Sequence, residues 1–246
     1  MGKVIMSGIV PQLEVPCPYD PVFANNTWAE IIEACQKNKV PDTWVVGSQK
    51  TMTINGTSYA IDIIGKNHDD YSNGSGKAPL TLQMHECYNT TSQMRSSSGN
   101  RYTDTACIMR ATTLPNILSK MPSEVQNAIK EVNKLTAQGT ASDSSTWSGS
   151  THGKTTTTAE KLFVLAEIEV FGNATNSTDS DIEGTQYEYY AAGNSRVKKV
   201  NGTASDWWLR SPCKNTATRF CAVNSSGNTT YKTRNDALGV SFAFCF

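Results

Sequence analysis

The sequence lacks both a long apolar segment and an excess of charge of one sign. No run of about 18 apolar residues, the length that spans a bilayer, occurs in the 246 residues. The 22 basic and 22 acidic side chains cancel, so no overall field attracts nucleic acid or an anionic membrane. The first residues also lack the basic and apolar pattern of a secretory signal, and we expect the chain to start near Met1. These absences favour a globular protein with no nucleic-acid partner and no membrane insertion.

Motifs for metal binding and catalysis are also missing. The seven cysteines form no CxxC pair, and an odd number cannot be fully paired within one chain, so we interpret most of them as buried thiols. None of the three histidines lies in a nucleophile motif. The clusters His-Asp-Asp at 68–70 and His-Glu-Cys at 85–87 lack the spacing of a zinc site or a calcium loop. The sequence therefore predicts no metal, no cofactor and no catalytic residue.

Two local motifs near the N-terminus predict defined elements. Thr27 and Glu30 have the spacing of a capping box at the start of a short amphipathic helix. Asn55-Gly56 lies between two alternating apolar segments, the pattern of a β-hairpin. Residues 1–24 contain four prolines and no helical period, which is typical of an extended arm.

The middle of the chain has helical patterns. Residues 104–121 predict a helix that Pro115 kinks or splits. A second helix is predicted from the capping-box spacing of Ser123 and Gln126, followed by apolar residues at helical spacing as far as Leu135.

The rest of the chain alternates between polar loops and apolar strands. Residues 136–158 are almost all Ser, Thr, Gly, Ala and Asp, which indicates a long surface loop. Apolar segments at 160–172, 205–212, 220–227 and 238–246 predict four strands. Strands, then helices, then strands indicate an α+β fold.

A set of segments gives the chain a family likeness. They are GKNHDDY, MRATTLPNILSKMP, FVLAEIEVFG, GTQYEYY, DWWLRSP and GVSFAFCF. Together they resemble a domain common in phages and prophages of gut Firmicutes, similar to the formylglycine-generating-enzyme branch of the C-type lectin fold. The ending WWLRSP, FCAVN and GVSFAFCF resembles the variable region of proteins diversified by retroelements, such as the phage major tropism determinant. The likeness covers residues 45–246, which leaves residues 1–44 as an N-terminal arm and a short helix.

The resemblance implies a fold and a function. The fold would be a C-type lectin fold with two helices packed on antiparallel sheets and a buried C-terminal strand. The protein would be a non-enzymatic receptor-binding protein whose segment at about 211–236 is varied by a diversity-generating retroelement. Invariant scaffold positions would be Trp207, Trp208, Leu209, Phe220, Val223, Gly227, Gly239, Val240, Phe242 and Phe244. Variable, ligand-binding positions would be Lys214, Asn215, Thr216, Thr218, Arg219, Asn224, Ser226, Asn228, Thr230, Tyr231, Lys232, Arg234, Asn235 and Asp236.

The composition of residues 211–236 suits a binding surface. The segment holds four Asn, eight Ser or Thr, one Tyr and four basic residues against one acidic residue, the adaptable hydrogen-bonding chemistry of antibody paratopes. Ordinary solvated loops have a similar composition, and this alternative stays open on composition alone.

Aromatic residues near this segment are further candidates for the surface. Trp207 and Trp208 are adjacent in a predicted strand and face opposite ways, so at most one of them is expected to be exposed. Tyr187, Tyr189 and Tyr190 are candidates for an aromatic rim, with packing in the core as the alternative.

The expected partner is a host cell-surface protein or glycan, bound by a phage tail protein or by a protein on the bacterial surface. Other tail proteins and further copies of the chain are additional candidates. Calcium-dependent sugar binding is not expected, because the sequence contains neither Glu-Pro-Asn nor Gln-Pro-Asp. A formylglycine-generating oxidoreductase is the enzymatic alternative and would need reactive thiols, for which Cys213 and Cys221 are the candidates. A purely structural virion component that docks through residues 1–24 is the third hypothesis.

Overall fold

The structure is a computed structural model that describes residues 17–143, 154–177, 182–214 and 216–246. The helices are α1 (Trp28–Gln36), α2 (Leu114–Leu118), α3 (Ser123–Ala128), α4 (Glu167–Phe171) and α5 (Glu188–Ala191), with a 3₁₀ turn at Phe23–Asn25 and a π-helical turn at Met109–Thr113. The strands are β1 (Gln49–Ile54), β2 (Thr57–Lys66), β3 (Leu80–Met84), β4 (Val132–Ala137), β5 (Thr155–Glu160), β6 (Phe163–Val164), β7 (Lys198–Val200), β8 (Thr203–Ser205), β9 (Trp207–Pro212), β10 (Arg219–Val223), β11 (Thr229–Thr233) and β12 (Phe242–Cys245). The predicted α+β class is confirmed. Among the described residues, no helix has the length and apolar content of a membrane span.

The strands form two main antiparallel sheets. The larger has five strands in the order β1-β2-β3-β12-β6, and the smaller has three in the order β11-β10-β9. Two ribbons, β4-β5 and β7-β8, complete the strand pairs. The sheets meet where the Trp208 amide donates to the Gly239 carbonyl at 3.1 Å and the Arg210 amide to the Leu165 carbonyl at 2.8 Å.

Both motifs predicted near the N-terminus are confirmed. The Glu30 amide donates to the Thr27 hydroxyl at 3.2 Å, and the Thr27 amide donates to the Glu30 carboxylate at 2.7 Å, which closes the capping box of α1. Asn55 and Gly56 join β1 to β2 with positive φ values of 49° and 79°, as a type I′ hairpin turn requires. The helix packs against the end of the chain, since the Trp28 and Phe246 ring centroids lie 6.2 Å apart.

The strand β12 is buried, as predicted. It lies between β3 and β6, where Phe244 pairs with Leu82 and Phe242 pairs with Val164. The phenylalanines of β12 face one hydrophobic core, whereas Ala243 faces a second core on the other side of the sheet. A central strand with both faces covered exposes none of its side chains.

Burial on two faces also decides where the aromatic residues lie. Trp207 and Trp208 do face opposite ways along β9, but both are 0% exposed because each faces one of the two cores. The expectation that at most one of them is exposed is therefore confirmed, and neither is exposed. Tyr187, Tyr189 and Tyr190 are buried as well, so they pack in the second core and form no exposed rim.

The second predicted helix is wrong beyond its first turns. The helix α3 ends at Ala128, and Pro122 stands at its N-cap without a side-chain hydrogen bond, so the predicted capping box is absent. The following residues form β4, which pairs along its whole length with β5. Pairing between strands outweighs the helical spacing of Val132 and Leu135, because propensity is a weak determinant beside tertiary contacts.

The polar segment and the strand predicted after it also differ from expectation. The loop predicted for 136–158 ends in a β-ribbon, since β5 begins at Thr155, and residues 144–153 lie outside the described ranges. The strand predicted for 160–172 is limited to β6, and α4 follows it. Gly172 ends α4 with φ 75°, a left-handed C-cap that favours glycine.

Candidate functional site

The β10–β11 hairpin and the loops at its two ends carry the candidate binding surface. A tight turn joins the strands, in which the Asn224 side-chain oxygen accepts the amides of Ser226 at 2.9 Å and Asn228 at 3.0 Å. Gly227 has φ 82° in this turn, a conformation that side-chain-bearing residues rarely adopt. The strand β11 is an edge strand of the smaller sheet among the described residues.

The described candidate residues all reach the surface. Exposed candidates are Arg219, Ser226, Asn228, Tyr231, Asn235 and Asp236. Half-buried candidates are Lys214, Thr216, Thr218, Asn224, Thr230, Lys232 and Arg234. Asn215 lies outside the described residues. Exposure is what a binding role requires, and the role itself stays a prediction.

Arg219 and Tyr231 form the most prominent feature of this surface. They are diagonal neighbours across β10 and β11, and the Arg219 guanidinium carbon lies 5.1 Å from the centroid of the Tyr231 ring. Tyr231 is 42% exposed. Tyr and Arg are among the residue types enriched at binding hot spots. Because stacking already restricts both side chains, they would lose less conformational entropy on binding a partner.

Other candidate side chains also hold the surface in place. Lys232 pairs with Asp206 at 2.7 Å. Arg234 makes a two-pronged contact with Asp143, at 2.8 and 2.9 Å, and Asp236 accepts the Thr233 amide at 3.0 Å. Arg234 therefore links the candidate segment to Asp143. Replacement of Arg234 would break this ion pair as well as any contact that Arg234 makes with a ligand.

A buried carboxylate supports the hairpin from below. Glu167, at 0% exposure, accepts the amides of Asn176 at 2.9 Å and Ser177 at 2.8 Å and the hydroxyl of Thr229 at 2.5 Å. The Ser211 hydroxyl accepts the Glu167 amide at 2.9 Å. Glu167 of α4 thus connects the 172–177 loop and β11 through its side chain, and β9 through its backbone amide.

A buried amide has the same role for the loop between β9 and β10. The Asn100 side-chain nitrogen donates to the carbonyls of Cys213 at 3.1 Å, Thr216 at 2.8 Å and Arg219 at 3.1 Å. Its oxygen accepts the Thr140 amide at 2.8 Å. The backbone course of this loop therefore depends on Asn100, a residue that carries no local sequence signal for such a role.

A chain of buried charges lies behind the surface. Arg210 is 0% exposed and meets Glu169 with both terminal nitrogens, at 2.5 and 2.9 Å. The Lys134 ammonium lies 2.6 Å from Glu169 and 2.7 Å from Asp69. The Tyr187 hydroxyl donates to Asp69 at 2.9 Å. Because each charge has an opposite partner and further hydrogen bonds, the chain avoids the large cost of an isolated buried charge.

Acid should destabilise the protein through Asp69. Burial alone would raise the pKa of this carboxyl, but the Lys134 ammonium and the hydrogen bonds from Lys134 and Thr81 outweigh it and lower the pKa to about 2. The unfolded value is about 3.9, so the stabilisation is fully present above about pH 5 and is lost as the pH falls toward 2. We expect this group to contribute about 2 to 3 kcal/mol at neutral pH.

Urea unfolding between pH 7 and pH 2 measures this contribution. Asp69→Asn should flatten the acid limb of the curve. The matched control is Asp70→Asn, since Asp70 is exposed and pairs with Lys77 at the surface. Equal flattening by both variants would contradict the assignment to Asp69.

The clusters at 68–70 and 85–87 do not form one site, because their histidines contact different residues. His68 stacks on Tyr187 with ring centroids 4.0 Å apart, and Nδ1 of His85 lies 2.8 Å from the Asp62 carboxylate. Within the described ranges, no group of three or more His, Cys, Asp or Glu side chains could hold a metal ion.

The cysteines proposed for the enzymatic alternative are buried. Cys213 is 2% and Cys221 is 0% exposed. Burial, with the nearby Glu167 carboxylate, raises the pKa of the Cys221 thiol well above its ordinary value, whereas a reactive cysteine needs a lowered one. None of the seven cysteines, all of which lie in the described ranges, forms a disulfide, and Cys17 is the exposed one.

Comparison with known proteins identifies a family for most of the chain. A family model described as a domain of unknown function (DUF6273) matches residues 80–246, which is more than half of the chain and includes the whole β9–β12 region. No curated protein and no solved structure matches the chain.

Proposed function

We propose that this chain, which belongs to the DUF6273 family, is a non-enzymatic binding protein that recognises its target through the β10–β11 surface. The target would be a cell-surface protein or glycan of a bacterial host, and the chain would be part of a phage tail or of a bacterial surface. Residues at about 211–236 would be diversified by a retroelement on a C-type lectin scaffold.

The observation that carries this proposal is the separation of side chains within one segment. Phe220, Ala222 and Val223 are fully buried, whereas every described candidate position around them is at least partly exposed. A sequence change at the exposed positions alters the surface and leaves the core packing unchanged. Surface substitutions away from special contacts usually change stability by less than about 0.5 kcal/mol, so such a segment tolerates diversity.

The anchoring of the loops supports the same proposal. Asn100 binds backbone carbonyls of the 213–219 loop, and backbone contacts persist when the side chains of that loop are replaced. Loops held on a rigid scaffold are the usual carriers of binding residues. A varied surface of this kind would keep one backbone shape while its chemistry changes.

A pair of displayed libraries tests the proposal. The first randomises the exposed positions Arg219, Ser226, Asn228 and Tyr231. The matched library randomises exposed positions of the β1–β2 hairpin, which are Gln49, Thr51, Thr53 and Ser58. Both should remain folded, and the first should yield binders to a panel of bacterial surface proteins and glycans at a higher rate. Equal yields, or loss of folding in the first library alone, would count against the proposal.

The diversification mechanism has its own test at the gene. Sequencing of the encoding locus should find a reverse transcriptase and an imperfect repeat of the segment that encodes residues 211–236. Their absence would refute retroelement diversification and leave the binding surface to be judged by the libraries. An experimental structure compared with C-type lectin domains tests the scaffold.

Tyr231→Ala should weaken target binding with little effect on stability. The substitution removes the exposed stack with Arg219, and cation–π pairs at exposed sites contribute about 0.5 to 1 kcal/mol. Tyr231→Phe is the control, because it keeps the ring over the guanidinium. Biolayer interferometry on any target that the wild-type chain binds measures affinity, and calorimetry measures melting. A large drop in melting temperature with Tyr231→Ala would place Tyr231 in the core.

A further inference from the structure

A concave region lies away from the β10–β11 surface. It is a cleft of about 1030 Å³ between the C-terminal end of α1, the 67–79 loop, the 127–131 segment and Phe246. None of the candidate residues at 211–236 lines it. Its volume is at the upper end of the range for small-molecule sites, about 300 to 1,000 Å³.

The cleft has an apolar floor and a polar rim. The floor consists of the buried residues Cys35, Pro79, Ile129 and Phe246. Amide side chains of the rim are those of Gln36, Asn38, Asn67, Asn73 and Asn127. Each amide has both hydrogen-bond donors and an acceptor, as a hydroxyl group does. The rim can therefore exchange hydrogen bonds with the hydroxyl groups of a ligand.

Hydrogen bonds fix the wall formed by the 67–79 loop. The Tyr71 amide donates to the Gly76 carbonyl at 2.9 Å, and the Ser72 amide donates to the Glu131 carbonyl at 2.9 Å. The Tyr71 hydroxyl donates to the Phe246 carbonyl oxygen at 2.6 Å. Burial raises the pKa of Tyr71 to about 12, so this donor keeps its proton at neutral pH. The cleft is therefore preformed, which lowers the cost of ordering on binding.

The charged side chains of the lining are mostly basic. Lysines line it at three positions, 77, 130 and 161, and Glu131 is its one acidic residue. Lys77 pairs with Asp70 at 2.9 Å. Lys130 and Lys161 are exposed, and neither forms an ion pair with a residue of the described ranges. Two ammonium groups beside a rim of amides fit an anionic ligand.

We propose that this cleft binds a polyhydroxylated anion. Hydroxyl groups of the ligand would exchange hydrogen bonds with the amide rim, and its carboxylate or phosphate would lie against Lys130 and Lys161. A peptide fits less well, because most of its side chains and its backbone carry no hydroxyl groups to pair with the five amide side chains of the rim. This site is independent of the β10–β11 surface, and the two proposals can fail separately.

Titration calorimetry on the full chain at low salt tests the proposal with four probes. A uronate hexasaccharide and a hexose bisphosphate carry the proposed chemistry with a carboxylate and a phosphate, respectively. Cellohexaose is the uncharged control, and hexaglutamate is the acidic peptide. Binding of either polyhydroxylated anion, tighter than both cellohexaose and hexaglutamate, supports the proposal, and the tighter of the two identifies the acid. No binding of either anion, or tighter binding of cellohexaose or hexaglutamate, overturns it.

Variants locate the binding. Lys130→Gln with Lys161→Gln should weaken the affinity about fivefold, as the loss of two exposed charge pairs implies. Lys120→Gln with Lys154→Gln is the matched control, since both are exposed lysines outside the lining. Asn127→Trp should block the cleft without a charge change. Equal losses in the control pair, or full binding by Asn127→Trp, would place the ligand elsewhere and refute the site.

Discussion

Replacing Arg210 by Met should lower the free energy of unfolding by about 3 to 5 kcal/mol. The change leaves the buried Glu169 carboxylate without its guanidinium, and removal of one partner from a buried ion pair has this effect because the remaining charge is uncompensated. Lys134 stays 2.6 Å from Glu169 and limits the loss. Urea unfolding measured by far-ultraviolet circular dichroism gives the value.

The Arg210 guanidinium also donates hydrogen bonds to backbone carbonyls. Its removal therefore costs more than the loss of the ion pair with Glu169 alone. Its nitrogens donate to the carbonyls of Leu135 at 3.0 Å, Val164 at 3.1 Å and Glu183 at 3.1 Å. These carbonyls belong to β4, β6 and a segment before α5. Removal of Arg210 therefore takes this donor away from the buried acceptors of Val164 and Glu183, and an unsatisfied buried acceptor costs about 1 to 3 kcal/mol before relaxation.

Two further variants separate the charge from the geometry. Arg210→Lys keeps the charge but has no planar fork, so it should retain only part of the stability. Arg219→Met makes the same substitution as Arg210→Met, at the exposed start of β10, and should change stability by less than about 1 kcal/mol. Equal losses for Arg210→Met and Arg219→Met would contradict the role of the buried network.

Phe244→Ala should destabilise the protein by about 3 to 5 kcal/mol, the range for a large aromatic side chain removed from a core. Phe244 is 0% exposed, and its ring centroid lies 5.5 Å from that of Phe246 and 6.3 Å from that of Phe242. The substitution opens a cavity in the core that β12 shares with α1, α2 and α3.

Calorimetric melting of Phe244→Ala beside Tyr231→Ala checks the comparison. Phe244→Ala should show the much larger drop in melting temperature. Its expected loss is a large fraction of the total unfolding free energy of a domain, which is about 5 to 15 kcal/mol. Phe244→Leu should recover much of the loss, because it refills most of the volume. A small effect of Phe244→Ala would show that the core collapses around the cavity.

Elements with local signals were predictable from the sequence. The capping box of Thr27 and Glu30 and the Asn55-Gly56 turn depend on neighbouring residues alone, and both are present in the structure. The predicted α+β class is confirmed as well, because apolar segments of the sequence mark β1, β2, β9, β10 and β12. The exposed positions of the β10–β11 hairpin follow from its polar composition and not from alternation, since β10 is buried at residues 220–223 and β11 is at least partly exposed along its whole length.

Elements that depend on distant partners were not predictable. The spacing of Val132 and Leu135 suits a helix, but Lys134 reaches Asp69 and Glu169 only because β4 is extended beside β5. The supporting residues Glu167 and Asn100 meet partners dozens of residues away. The sequence around each of these two residues gives no sign of such contacts. It also gives no sign of the second core, in which Trp207 is buried.

The position of β12 has a consequence for how the chain reaches its native state. Its partner β3 precedes it by about 160 residues, as the pairing of Phe244 with Leu82 shows. Pairings of such long range make folding slow, because the entropy of closing a large loop is lost before the contacts form. Until then the phenylalanines of β12 are open to other chains, so refolding from denaturant should become less efficient as protein concentration rises.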